Sequence, residues 1–253
     1  MKNITGIILT KNNKRTIKES VSSIIDLVDE LIIIDDHSND GTLEIIRNLD
    51  KKIVIKEKVL TRFDEQRNYG ISLAKNNWII MIDSDELVSK ELSRSIKNLK
   101  EEENIDAYWS IRENQVFNKK TLEKYQNRPI LFRKNLKFSY PVHETILIDK
   151  KKIKQLKGHL IHKSFVSFKN SLNKINHYSD LMADRWIEEK RNYGKTTTLI
   201  FAIMWPCYAF LQAFFGRKYY QMKLFGFVFS IFDSFWRLIG ILKYYERKYK
   251  KNI

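Results

Sequence analysis

Three short apolar runs, Ile4 to Leu9 (broken only by Thr5 and Gly6), Leu31 to Ile34 and Trp78 to Ile82, set the rhythm of the first third of the chain. Each is short and lacks polar alternation, the pattern of a strand buried on both faces. Between the first two, Ile17, Val21, Ile24, Ile25 and Val28 fall on one face of a helix. Leu43, Ile46 and Leu49 mark a second helix, Ile53 to Ile55 a further strand, and a helix around Arg67 to Lys75 leads into Trp78. Residues 1–85 therefore read β-α-β-α-β-α-β. The fold class this predicts is α/β, a Rossmann-like, mostly parallel sheet flanked by helices.

The pattern then loosens. Leu87 to Leu99 predicts a helix, closed by the acidic surface run Glu101 to Glu103. Ala107 to Phe117 alternates as an exposed strand does. Ile130 to Arg133 and Thr145 to Ile148 predict strands flanking Tyr140-Pro141-Val142-His143-Glu144, and Leu156 to His162 a short strand. Ser167 to Glu189 reads as a long polar helix. Leu199 to Phe215 has no charged residue across 17 positions but includes Pro206 and Gln212, and Leu224 to Leu242 is interrupted by Asp233 and Arg237. Seventeen residues lies at the lower limit of a bilayer span. Two helices lying in the interface, or a shallow re-entrant pair, fit these stretches better than two spans. Burial of both against the preceding domain is the competing expectation.

Charge sharpens this division. The net charge is +16, yet residues 1–150 hold 26 Lys and Arg against 24 Asp and Glu, while residues 151–253 hold 20 against 6. A cationic region beside apolar, aromatic stretches suits the headgroup layer of an anionic leaflet. Nucleic-acid binding, which charge alone suggests, fits less well, because the first 150 residues are near neutral. The single Cys207 excludes a disulfide framework and a cysteine zinc cluster, and fits a reducing compartment. The strand pattern starts at Ile4 with no long apolar signal segment before it, which sets the expectation that the usual export route is not used.

Two of the strands end in acids, Asp35-Asp36 and Asp83-Ser84-Asp85. In a parallel sheet both endings lie on one edge, where open α/β sheets bind ligands. Two carboxylates one residue apart repel unless a cation sits beside them, so Asp83 and Asp85 predict a divalent-metal site.

These residues carry a resemblance. Asp35-Asp36-His37-Ser38-Asn39-Asp40-Gly41-Thr42 resembles the D-D-x-S-x-D-G-T signature of family-2 glycosyltransferases with the GT-A fold, and Asp83-Ser84-Asp85 their D-x-D. Gln66-Arg67-Asn68 and Pro141-Val142-His143-Glu144 resemble segments of a bacterial subgroup that includes the lipopolysaccharide-core β-glucosyltransferases. The motifs cover residues 1–165; the tail resembles the subgroup only in general character.

The resemblance implies a metal-dependent, inverting transfer from a UDP-sugar to a lipid-linked or envelope saccharide, such as lipopolysaccharide core or surface polysaccharide. Thr10 and Asp36 would hold the uridine, and Asp83 the ribose or nucleotide. Asp85, with Asp83, would ligate Mn²⁺ or Mg²⁺ on the diphosphate, with His162 a weaker candidate. Arg67 would contact base or phosphate, with an ordinary surface salt bridge equally open. The base falls to Glu144, with His143 competing. Asn13 departs from the subgroup, which often has Glu there, and His37 reads as turn filler. The expected domains are a catalytic one over residues 1–165 and a helical membrane-associating region over residues 166–253. Within the first, residues 1–100 would bind the nucleotide-sugar and residues 101–165 the acceptor. The expected location is the cytoplasmic face of a bacterial inner membrane, peripheral or monotopic, with no nucleic-acid partner and oligomerisation open. A nucleotidyltransferase is disfavoured because Thr10-Lys11-Asn12-Asn13 stands where a glycine-rich phosphate loop belongs. A processive synthase is disfavoured by the short chain and the lack of a Q-x-x-R-W motif.

Overall fold

The structure is a computed structural model that describes residues 3–50, 53–60, 62–116, 119–121, 126–139, 145–146, 148–165 and 168–250. The chain divides into two compact units, residues 1–115 with 125–164, and residues 116–124 with 165–253.

The first unit opens with β1 (Ile4–Thr10), α1 (Ile17–Ile24), β2 (Glu30–Asp35), α2 (Thr42–Arg47), β3 (Val54–Glu57), α3 (Phe63–Leu73) and β4 (Trp78–Asp83). β1 pairs in parallel with both β2 and β4, and β2 with β3. Strand alternation sends Ile4, Ile8, Ile33, Trp78, Ile80 and Ile82 to one face, where they meet Ile17, Val21 and Ile24 of α1. Ile7, Leu9, Ile32, Ile34, Ile79 and Met81 point the other way, onto Ile71 of α3. Burying each such side chain stabilises by roughly 1.5–3 kcal/mol, more than the ~1 kcal/mol range of strand propensities. Burial, rather than propensity, therefore fixes these strands and their register.

The parallel half of the sheet is as the pattern predicts; the region after β4 is not. Glu86–Val88 forms a short strand, β5, and only then does α4 (Lys90–Lys97) begin, with Ser89 capping it through Leu92 N–H at 3.2 Å. The predicted helix from Leu87 thus starts late, because Leu87 and Glu86 pair with Ile161 and His162 of a distant strand. β6 (Ala107–Val116) is not an edge but lies inside the sheet. A two-residue β7 (Lys119–Lys120) follows, then β8 (Gln126–Arg133), β9 (Phe138–Ser139), β10 (Thr145–Ile146) and β11 (Ile153–Phe165), the last far longer than expected. The sheet order β3-β2-β1-β4-β8-β6-β11-β5 makes the second half antiparallel at β4–β8, β8–β6 and β11–β5.

The second unit holds α5 (Phe168–Glu188), α6 (Lys195–Leu211) and α7 (Lys223–Tyr249). Ala183 and Trp186 of α5 pack with Ile241 and Tyr244 of α7, and Asp180 pairs with Lys243 at 2.9 Å and with Arg247. Lys195–Gly216 and Tyr219–Tyr249 are long and apolar enough to cross a membrane, with mean hydropathy 1.7 and 1.6 over windows only 11% and 33% buried. Most of each window is unburied among the described residues. Leu199, Ile203 and Phe215 on one helix, and Leu224, Val228 and Phe235 on the other, face outward.

Candidate active site

The carboxyl ends of β2, β1 and β4 are neighbours, with Thr10 in register with Asp35 and Leu9 with Asp83. Of the Asp35-Asp36 pair, Asp35 is fully buried and structural. It accepts from Ser38 N–H at 2.8 Å and Ser38 hydroxyl at 2.6 Å, closing the turn that follows β2. His37 adopts φ +51° in that turn and pairs with Glu57 at 3.3 Å. Asp36 accepts from Lys11 Nζ at 2.6 Å and Leu60 N–H at 3.0 Å. Beside them, Thr10 is buried and its Oγ1 has no hydrogen-bond partner among the described residues.

The turn after β2 is held by its own hydrogen bonds. Asp40 accepts from both the N–H and the hydroxyl of Thr42 and from Lys14 N–H. Burial acts to raise the Asp40 carboxyl, but these hydrogen bonds outweigh it and hold it below the usual range. Gly41 takes φ +92°, a left-handed conformation that glycine adopts without steric cost, and leads into α2. Asn13 donates from Nδ2 to Ser84 Oγ at 2.6 Å, and its N–H donates to Thr42 Oγ1 at 2.8 Å. It ties the β1 loop to the Asp83-Ser84-Asp85 turn, a role its residue type alone did not suggest.

The three residues Gln66, Arg67 and Asn68 point in three directions, as successive helical positions must. Gln66 Nε2 donates to the Lys58 carbonyl at 3.1 Å. Asn68 donates to the Phe138 carbonyl and accepts from Phe138 N–H, both at 2.9 Å. Arg67, 3% exposed, donates from Nη2 to Asp83 Oδ1 at 2.9 Å, its guanidinium 5.3 Å from the Phe138 ring centre. The arginine is buried while the Asp83 side chain stays part-exposed.

Asp83 has a second cation. Arg128 of β8 donates from Nη1 to Asp83 Oδ2 and to Glu86 Oε1, each at 3.0 Å. Burial pushes the Asp83 carboxyl up; the Arg128 and then the Arg67 charges overcome it, against the repulsion of Asp85. The net result lies well below the usual carboxylate range. Both Asp83 oxygens are bonded to guanidinium groups. Glu86, fully buried, also accepts from Arg112 at 3.4 Å and from Asp83 N–H at 3.0 Å. Nothing in the sequence pattern singles out Glu86, Arg112 or Arg128 as site residues. Glu86 is conspicuous there only as the residue that follows the D-x-D.

Asp85 lies in the turn after β4, where its carbonyl accepts from Lys163 N–H at 2.8 Å. His162 of β11 brings Nε2 to 3.6 Å from Asp85 Oδ2, and its Nδ1 is 2.8 Å from Asn114 Oδ1. Asn114 Oδ1 can only accept, so Nδ1 is the donor in that contact, and Nε2 faces Asp85. A carboxylate oxygen and an imidazole nitrogen form a donor pair suited to a divalent ion. The residues therefore fit a metal at Asp85 and His162 better than at Asp83. Among the described residues, no cluster of three or more His, Cys, Asp and Glu is placed to hold a metal. Pro141, Val142, His143 and Glu144 lie outside the described residues.

A family model described as glycosyl transferase family 2 matches residues 5–157, more than half of the chain. A protein of Rickettsia typhi described as an uncharacterized glycosyltransferase is 27% identical over 268 residues, covering 99% of this chain and 89% of its own length. The poly(ribitol-phosphate) beta-N-acetylglucosaminyltransferase TarP of Staphylococcus aureus is 32% identical over 123 residues, covering 42% of this chain and 35% of that protein. Among solved structures, glucosyl-3-phosphoglycerate synthase of Mycobacterium tuberculosis, in complex with Mn²⁺, uridine diphosphate and glucosyl-3-phosphoglycerate, is 21% identical with a TM-score of 0.35. That match covers 46% of this chain and 44% of the other, so the chain spans under half of that structure's length.

Proposed function

Since the chain belongs to glycosyl transferase family 2 and is a sugar-transferring enzyme, we propose that it is an inverting transferase that takes its sugar from a UDP-sugar. Its acceptor, in this reading, is a lipid-linked or envelope saccharide of the lipopolysaccharide-core or surface-polysaccharide kind. The observation that carries the proposal is the meeting of Thr10, Asp36, Asp83 and Asp85 at one carboxyl edge of the sheet, with His162 facing Asp85.

The Thr10 hydroxyl, buried and without a protein partner among the described residues, lies beside this edge, where the nucleotide's uridine would sit. Asp36 and Lys11, already paired at 2.6 Å, flank it and offer an acceptor and a cation to base, ribose or phosphate. Asp83 does its work as an anion held between Arg67 and Arg128, fixing both guanidinium groups at the end of β4. Asp85 and His162 would hold Mn²⁺ or Mg²⁺, which when bound supplies positive charge to the departing diphosphate. The acceptor oxygen bonds to the anomeric carbon as the bond from that carbon to the diphosphate oxygen breaks. The hydroxyl proton passes to a base, for which Glu144 is our choice and His143 the alternative.

We assign residues 1–165 to catalysis and 166–253 to association with the cytoplasmic face of an anionic membrane. Exposed apolar rows on α6 and α7, set among Lys and Arg, support this second assignment.

The test is thermal stabilisation of the full chain with Mn²⁺ and a panel of UDP-, GDP- and dTDP-sugars. Selective stabilisation by a UDP-sugar, followed by release of UDP on adding acceptor, is expected. Stabilisation by a GDP- or dTDP-sugar alone would overturn the donor class.

A further inference from the structure

The helical unit contains a cavity of about 380 Å³ that sugar transfer does not use. Trp186, at the end of α5, forms its floor and stacks on Trp205 at 5.3 Å between ring centres, 17° from parallel. Tyr193 and Phe201 stand edge-on to each other at 5.0 Å, and Trp186 also meets Tyr244 of α7 edge-on. Phe201, Met204, Trp205 and Tyr208 are spaced at three and four residues along α6, so one helical face supplies most of the wall. The connector from α5 to α6 is clamped in place. Tyr244 hydroxyl donates to the Arg191 carbonyl at 2.6 Å and accepts from Tyr193 N–H at 3.2 Å. The walls are thus set before any ligand arrives.

One charged side chain lines the cavity, Arg191. It donates to Glu189 at 2.6 Å and to Tyr193 hydroxyl at 3.0 Å, with its guanidinium 5.4 Å from the Trp186 ring centre. Lys190 on the same connector and Lys195 at the start of α6 are exposed, and Glu189 is shared between Arg185 and Arg191. At the mouth, Met204 and Tyr208 are 61% and 62% exposed and continue the outward apolar row of Ile200, Leu211 and Phe215. The cavity is apolar within, basic at one rim, and opens onto the face that the membrane reading places against lipid.

From this arrangement we infer that the cavity seats a hydrocarbon chain of an anionic phospholipid, whose phosphate lies at Arg191, Lys190 and Lys195. A saccharide is a poor occupant. Its hydroxyls need several hydrogen-bond partners on leaving water for an apolar surface. The wall offers two phenols, of Tyr193, already bonded to Arg191, and of Tyr208, among mainly apolar side chains. A chain with an anionic head satisfies both the wall and the rim. The inference rests on the proposed membrane association, and adds to it a discrete lipid site.

The experiment uses the full chain with vesicles of phosphatidylcholine and phosphatidylglycerol at one fixed ratio, with bromine on the acyl chains of one lipid or the other. Co-sedimentation is measured alongside tryptophan quenching, and the Trp186 and Trp205 component is isolated by comparison with Trp205→Phe. Brominated phosphatidylglycerol is expected to quench that component more than brominated phosphatidylcholine. Arg191→Gln is expected to weaken the preference by about fivefold, the effect of one basic side chain at an anionic surface. Lys190→Gln with Lys195→Gln, both on exposed side chains, gives the same reading if Arg191→Gln fails to fold. Equal quenching by either lipid in protein that co-sediments overturns the lipid site and leaves membrane association standing. Protein that does not co-sediment at all overturns both.

Discussion

Arg67 of α3 donates to Asp83 at the end of β4 across 2.9 Å, and the acid of the motif is therefore half of an ion pair rather than an open carboxylate. The arginine is 3% exposed and the aspartate side chain 29%. Arg67→Met removes one of two cations from a largely desolvated anion. Breaking buried pairs typically costs about 3–5 kcal/mol; here about 2–3 kcal/mol is expected, since Asp83 keeps Arg128 and some solvent. Urea unfolding measures the loss, and transfer activity is expected to fall with it.

The same pair fixes a pH dependence. Asp83 has a folded pKa below its unfolded value of about 4. Its contribution to stability is therefore complete above that value and is lost as pH falls through the folded one. The difference in urea midpoint between the protein and Asp83→Asn is expected to be largest near neutral pH. It shrinks on acidification below about pH 4. A difference that stays constant down to the acid limit would show that Asp83 is not held ionised by its arginines.

How α3 comes close enough to place Arg67 depends on Gly70, one turn further on. A Cβ there would lie 2.9 Å from Ile7 Cγ2 and 3.3 Å from Ile34 Cγ1, so the helix rests directly on β1 and β2. Gly70→Val forces α3 away from the sheet. A cost of about 1–3 kcal/mol is expected from overpacking, despite the better helix propensity of valine. Activity is expected to fall further than Gly70→Ala lowers it, as Arg67 is carried away from Asp83.

The parallel half of the fold was legible because Ile7, Ile33 and Ile80 sit in runs buried on both faces, which no other element of that length produces. Glu86 to Val88 was not, because three residues leading into a capped helix carry the same apolar signal as its first turn. Their strand character comes from pairing with Leu160 to His162 far along the chain. Arg128 and Asn114 were invisible for a related reason. An arginine in an alternating strand reads as solvent-facing. What turns it inward is the pair of acids at Asp83 and Glu86, some 40 residues earlier. The D-x-D spacing puts Asp83 and Asp85 at the end of β4, but could not say that the first pairs with arginines while the second faces a histidine.

That histidine gives a metal prediction. Asp85→Ala and His162→Ala are each expected to abolish Mn²⁺ binding measured by electron paramagnetic resonance, with the urea midpoint little changed. Asn114→Ala acts through the His162 tautomer and is expected to weaken Mn²⁺ binding by about 10–100-fold, as removal of partners behind a metal-binding histidine commonly does. Asp83→Asn, by contrast, is expected to leave Mn²⁺ affinity nearly intact while destabilising the fold. The reverse order, with Asp83 controlling the metal and His162 neutral to it, would return the ligand role to the first acid.

The outward rows of α6 and α7 allow the proposed membrane association to be tested apart from folding. Ile200 and Leu211 are 53% and 52% exposed, so replacing both by Glu removes little from the packed interior. Surface changes of this kind usually alter stability by no more than about 0.5 kcal/mol each. If these side chains enter a bilayer, each loses on the order of 1 kcal/mol or more of apolar burial on binding, and each new carboxylate is repelled by anionic headgroups. The double variant is therefore expected to keep its unfolding midpoint, yet to bind anionic vesicles at least roughly tenfold more weakly. A fall in stability with unchanged vesicle binding would mean that the rows pack against protein, as buried helices do.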